Sequence, residues 1–260
     1  MKFFCGDYFK FYCKYSVPDY TGPHSHVFKF KIHPHGNPSR FFIKTSYLNH
    51  FFSNFEVKHD YTLITHNDDL NITSDIAEPI LGAHPHIRNW YAQNVNYRHP
   101  RLHPIPIGIA NPKWEHGNQS ELERVQNLPF QKNNLTYVNF DIYTNPGERR
   151  FCLDQIDLPM EERVPFGEHL EKLSQSYFCV SPNGNGLDCH RHWECLYLKT
   201  VPIVTRSTFT ELLLEKGIPL LIIEDWSKFK ELDLSPSLYQ SIWGNFEPET
   251  LHSLFQLSND

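Results

Sequence analysis

The chain has 260 residues, of which 40% are hydrophobic, 15% aromatic and 21% charged, and its formal net charge is −6. That apolar content can bury a core, which excludes a disordered chain, a coiled coil and a disulfide miniprotein. The negative balance argues against broad adhesion to nucleic acid or anionic membranes and leaves room only for a local basic pocket.

From the N-terminus, the apolar run is short and broken by Asp7 and Lys10, so no signal peptide is expected. No segment reaches the roughly 18 apolar residues of a membrane span. Val27 to Ile32 alternates apolar and basic residues and predicts a half-buried strand. Phe41 to Phe55 reads as helical or irregular. Tyr61 to Thr65 is a β-branched strand, and His66-Asn67-Asp68-Asp69 turns the chain. Ser74 to Leu81 predicts a short helix, Trp90 to Ala92 and Leu102 to Ile109 predict strands, and Asn118 to Leu128 predicts a helix. A second unit begins near Lys132. Leu135 to Phe140 reads as a strand ending in a polar loop, followed by helical segments around Glu148 to Ile156 and Gly167 to Ser174. Strands at Tyr177–Val180, Val201–Val204 and Leu220–Ile223 then alternate with helices at Asp188–Leu198 and Phe209–Lys216, and the tail from Leu238 reads as helical. This rhythm predicts parallel, doubly wound sheets with helices on both faces, in two α/β halves joined near Asn127–Asn134.

Six cysteines lie at 5, 13, 152, 179, 189 and 195. Their scatter predicts a reduced, cytoplasmic protein with no disulfide framework. Sixteen histidines raise the question of zinc. Cys189-His190-Arg191-His192-Trp193-Glu194-Cys195 is rich in ligand types, but on a helix His190 and His192 diverge, as do Cys189 and Cys195. No CxxC pair or HExxH is present, so no metal is expected.

The most informative stretch runs from Ser181 to Glu194. A buried strand enters the loop Ser181-Pro182-Asn183-Gly184-Asn185-Gly186 and a helix follows. In an open parallel sheet, ligands bind beyond the carboxyl ends of strands. Glycines let a phosphate approach the backbone, and a helix N-terminus offers unpaired N–H groups. Arg191 adds a cationic fork for a diphosphate, and a carboxylate such as Glu194 suits the paired hydroxyls of a ribose. A helical wheel sets Cys189, Trp193 and Leu196 toward the sheet, with His190, Arg191 and Glu194 on the other side. The bland alternative is a connecting loop with a helix cap and a surface Arg–Glu pair. GNGLDC only begins like a dinucleotide-binding GxGxxG.

Phe178 to Val204 resembles the donor-nucleotide segment of exostosin-like glycosyltransferases, especially small viral, algal and bacterial members. The resemblance rests on Ser181-Pro182, Gly184, Gly186, Arg191-His192-Trp193-Glu194 and Val201-Pro202-Ile203-Val204. Further matching segments are Thr65 to Asp69, Trp90 to Asn94, Ile105 to Gly108, Asn111 to Asn118 and Asn139 to Arg149, so it spans roughly residues 60 to 205. The resemblance implies a compact GT-B fold of two Rossmann-like halves facing a cleft, residues 1–130 on the acceptor side and 131–260 holding a nucleotide sugar. It implies inverting transfer to a glycan without a metal or other cofactor, the nucleotide sugar (a UDP-sugar by preference) being a co-substrate. Asn139, Thr144, Arg149, Ser181, Pro182, Asn183, Gly184, Asn185, Gly186, Asp188, His190, Arg191 and Glu194 would then bind the donor, with Arg149 and Arg191 neutralising the leaving diphosphate. Inversion needs a base near the acceptor hydroxyl; Asp69 is the first candidate, His66 the second, and Glu115 and His116 are next. Asn67, Asp68, Trp90, Trp114, Glu115 and His116 would contact the acceptor. Against this stand an Asx-type turn for Asn67-Asp68-Asp69, a metal-dependent GT-A transferase and a non-catalytic nucleotide- or carbohydrate-binding protein. The oligomeric state is not legible.

Overall fold

Residues 3–16, 31–32, 37–129 and 131–257 are described by a computed structural model. The expected strand at Val27 to Ile32 lies outside them except for its last two residues, which do form a strand. The chain divides into two units, Met1–Ile107 and Gly108–Asp260. The boundary is not at residue 130, where the sequence suggests it. The reason is packing: the helix Gln119–Gln126 belongs to the second unit, where Arg124 pairs with Glu171 at 2.7 Å and Gln126 donates to the Tyr197 carbonyl.

The first unit contains α1 (Gly6–Phe11), β1 (Cys13–Ser16), β2 (Lys31–Ile32), β3 (Asn37–Lys44), α2 (Leu48–Asn54), β4 (Tyr61–His66), α3 (Ser74–Ala83), β5 (Ile87–Ala92) and β6 (Leu102–Pro104). Its sheet runs β2-β1-β3-β4-β5-β6, all parallel except the short antiparallel edge strand β2. Phe41 to Lys44 is thus part of a strand rather than helical or irregular. The apolar run Phe41-Phe42-Ile43 is buried on both faces, which is the signature of an inner parallel strand and carries no alternation. β6 ends at Pro104, short of the expected Ile109; it is an edge strand, where Pro104 is tolerated, and the Ile105 N–H still donates to the Ala92 carbonyl.

The second unit contains α4 (Gln119–Gln126), β7 (Asn134–Tyr137), α5 (Pro146–Ile156), α6 (Phe166–Ser174), β8 (Ser176–Val180), α7 (His190–Tyr197), β9 (Val201–Thr205), α8 (Thr208–Glu215), β10 (Leu221–Ile223), α9 (Pro236–Trp243) and α10 (Leu251–Leu254). Its four parallel strands run β10-β9-β8-β7. Phe178, Val180, Ile203, Trp193 and Trp226 are buried in its core. Helix caps follow the sequence: Asn118 caps α4, Asn145 caps α5 and Ser207 caps α8.

Both halves are α/β with parallel sheets, as expected. The reversal of strand order that marks a doubly wound sheet is not seen: in each sheet the parallel strands follow chain order among the described residues. There is accordingly no topological switch point, and a ligand site must be built by the loops at the carboxyl ends of the strands. No helix among the described residues is long and apolar enough to cross a membrane.

Candidate functional site

The loop between β8 and α7 is held from several directions. Asn145, at the start of α5, donates Nδ2 to the Gly184 carbonyl at 2.9 Å. Arg149, one turn on, is buried, and it donates Nε to the Asn183 carbonyl and Nη1 to the Asp141 carbonyl. Glu148 Oε1 accepts the Asn183 N–H at 3.0 Å and the Trp226 indole N–H at 3.2 Å. Cys189 Sγ accepts the Gly184 N–H at 3.0 Å. Its thiol is pushed up to about 11 by burial and by the Asp188 charge, and so stays protonated near neutrality.

These contacts revise the expected phosphate cradle. The N–H groups of Asn183 and Gly184 already have protein acceptors, so they do not form an open anion nest. Close packing does not require the glycine either: a Cβ at Gly184 would meet an Arg149 Nη and Cys189 Sγ at 3.4 Å, an ordinary van der Waals contact. Arg149 is a staple for two loops, and its Nη2 makes no hydrogen bond to the described residues. Burial holds its guanidinium below the ordinary value, and the neighbouring charge of Arg191 acts in the same direction. Asn139 is likewise committed, donating to the carbonyls of Glu161 and Glu162.

Helix α7 carries the free polar groups. Asp188 is buried and accepts the Trp193 indole N–H at 2.7 Å, so it fixes the helix to the core and is not available as a donor-binding residue. The helix is buried from His192 to Tyr197, so Glu194 does not lie on a solvent face as the wheel suggests; it is 5% exposed. Its Oε2 lies 3.3 Å from His169 Nε2 on α6, and the Tyr137 hydroxyl lies 3.0 Å from His169 Nδ1. Burial pushes the Glu194 carboxyl up, but the hydrogen bond to His169 and the charge of Arg191 outweigh it and hold it below the usual range. Ser181 Oγ, Arg191 Nε and His192 Nε2 are buried with no hydrogen-bond partner among the described residues. Native structures leave few such atoms, and each one asks for an explanation. His190 turns Nδ1 to the Gly108 carbonyl at 2.7 Å. Pro182 and Gly186 are buried in the loop, while Asn185 and Thr144 line its outer side at exposed and half-buried positions.

The acceptor candidates are dispersed. Trp114, Glu115 and His116 belong to the second unit, where the His116 ring lies 6.2 Å from that of His190. Trp114 is 54% exposed beside a shallow groove lined by Lys113, Glu115, Asn118 and Gln119. Trp90 is fully buried and donates to Thr65 Oγ1, so it is core and cannot stack on a sugar. In the first unit, His66 is 1% exposed. Its Nε2 lies 2.9 Å from the Pro106 carbonyl and its Nδ1 accepts the Asn67 N–H at 2.7 Å. With both nitrogens engaged, His66 has no lone pair for a substrate proton, which removes it as a base. Asn67 sits in the left-handed region at φ 59°. Asp68 accepts the Ser46 and Leu70 N–H groups, so these two residues build the turn. Asp69 is exposed.

No family model matches the sequence, and no curated protein matches it either. The site therefore has to be read from its chemistry. Sequence reasoning misses His169, Tyr137, Glu148 and Cys189 as members of it. The only sequence signal for His169 is a histidine in the apolar stripe His169-Leu170-Leu173 of α6, a place where an imidazole needs a partner.

Proposed function

We propose that the chain is a nucleotide-sugar-dependent glycosyltransferase of compact GT-B form, with the donor, a UDP-sugar by preference, held by the second unit. The observation that carries this reading is the set of uncommitted polar atoms beyond β8. Among the described residues Arg191 Nε and Ser181 Oγ are buried without a partner, and no hydrogen bond is formed to Arg149 Nη2 or Glu194 Oε1. Two cations and a hydroxyl suit the oxygens of a diphosphate, and a carboxylate suits a vicinal diol. In the transfer, the acceptor oxygen bonds to the anomeric carbon as the bond from that carbon to the diphosphate breaks. The acceptor proton passes to a base, and the arginines take up charge on the leaving group, a role that a metal fills in other transferases. Asp69 remains the first candidate base, ahead of Glu115 and His116.

The second reading is a non-catalytic nucleotide- or sugar-binding protein. It gains weight from one observation, the commitment of His66 to the core, which removes the second of the expected base candidates. Incubation with UDP- and GDP-sugars and a panel of glycan acceptors, with products detected by mass spectrometry, separates the two. Transfer by the wild type, lost by at least 100-fold in Asp69→Asn with donor affinity intact, is the expected result. Binding without transfer to any acceptor favours the second reading.

A further inference from the structure

We infer that His169, set in place by Tyr137, is a positioning residue that holds the Glu194 carboxylate turned toward the hydroxyls of a bound nucleoside diphosphate. The inference rests on the donor-site reading above and deepens it. Three residues from three elements form one buried chain: Tyr137 on β7, His169 on α6 and Glu194 on α7. The carboxylate can only accept, so the histidine must present Nε2–H to Oε2. In the neutral imidazole, Nδ1 is then the acceptor, and the Tyr137 O–H is its donor. Burial pushes the Tyr137 phenol well above its ordinary value, which keeps that proton in place. The tautomer is thus fixed from the far end of the chain, as second partners fix the histidines of other polar sites.

A purely structural pair would be finished inside the protein, since a half-satisfied buried carboxylate costs free energy. Glu194 is finished on one side only. Oε2 is spent on His169, Oε1 takes no hydrogen bond from the described residues, and on the same helix Arg191 Nε is buried with no acceptor among them. A ligand bearing both a hydroxyl and a phosphate completes both. The charged and titratable groups that bear on Glu194 are His169 from α6, His190, Arg191 and Cys195 from α7, Tyr137 from β7 and His116 from the turn before α4. Of these, His169 makes the hydrogen bond that turns the carboxylate.

The test is calorimetric titration of the full chain with two ligands. One is uridine diphosphate, or guanosine diphosphate if that binds the wild type more tightly; the other is inorganic pyrophosphate, which has no hydroxyl for Glu194 to read. Glu194→Gln and His169→Ala are each expected to weaken the nucleoside diphosphate about tenfold while changing pyrophosphate less than twofold. His169→Gln, whose amide N–H can replace Nε2–H, is expected to recover most of the loss. Tyr137→Phe removes only the phenolic O–H and serves if His169→Ala does not fold; a smaller loss, again confined to the nucleoside diphosphate, is expected. Equal weakening of both ligands, or none of either, in the folded variants overturns the role of His169 and leaves the donor site standing. A wild type that binds neither ligand overturns the donor site and this inference with it.

Discussion

At the scale of single residues, the polar groups of the loop and helix divide by whether a protein partner already holds them. Asp188 is spent on the Trp193 indole and Glu148 on Asn183 and Trp226, whereas Arg191 and Glu194 keep an uncommitted atom. Their residue types and their place at a strand's carboxyl end are legible in the sequence. Which of them is already bonded is not, because the partners of Glu148 lie 35 and 78 residues on and the Trp193 indole meets Asp188 only once the helix has formed. The acceptor for His66 Nε2 comes from Pro106, 40 residues on, so position marks His66 as a candidate base while the fold makes it a brace. His66→Ala is therefore expected to lower unfolding free energy in denaturant by about 2–4 kcal/mol, through a lost buried hydrogen bond and a cavity. Its affinity for nucleoside diphosphate should not change; selective loss of that affinity with stability intact would restore His66 to the chemistry. Lys132 gives a second check. Its amine donates to the Ser176 carbonyl and Thr200 Oγ1, and burial pulls it down to about 7. The unfolded chain then binds more protons between pH 7 and the ordinary lysine value near 10.4, so this group makes stability rise with pH across that window. Denaturation at pH 7, 8.5 and 10 should show Lys132→Met losing ground to the wild type as the pH is raised; a constant difference would mean that the amine is not depressed.

At the scale of elements, caps and alternating segments carry most of the information. Asn118, Asn145, Ser207 and Ser235 each accept a first-turn N–H of the helix they precede, which is why the starts of α4, α5, α8 and α9 can be found within a residue or two. The strand β3 is missed for the opposite reason. A doubly buried strand has no alternation, and Phe41-Phe42-Ile43 alone does not separate it from a buried helix. The turn before α4 depends on Gly117 for space: a Cβ there would lie 2.2 Å from the Asn111 carbonyl oxygen and 2.6 Å from that of Ala110. Gly117→Ala must displace backbone, and a loss of about 3 kcal/mol in unfolding free energy is expected, at the upper end of overpacking costs. Gly184→Ala meets its nearest atoms at 3.4 Å and should be nearly neutral for stability. If the two substitutions cost the same, the close approach at Gly117 does not hold in solution.

At the scale of the whole molecule, alternation of strands and helices is enough to give two α/β units with parallel sheets. It is not enough to give strand order, because periodicity says nothing about which side of the sheet each crossover returns to. Both sheets step in one direction, so no reversal of strand order singles out the Ser181–Glu194 segment. What keeps that segment in place as the candidate site is its chemistry, with buried cationic and hydroxyl donors left unpaired beside a buried carboxylate. The second unit begins at Gly108, which gathers α4, His116 and Trp114 with the donor-side residues and leaves Asp69 in the first unit. The most direct measurement is the thermal unfolding midpoint of the wild type and Arg191→Ala against uridine diphosphate, guanosine diphosphate and pyrophosphate. A ligand that binds only the folded state raises the midpoint in proportion to its occupancy. The wild type should rise with at least one nucleoside diphosphate, and Arg191→Ala should need about ten times more ligand for the same rise. No shift with any of the three at millimolar concentration, or an equal shift in both proteins, would contradict a diphosphate site at Arg191.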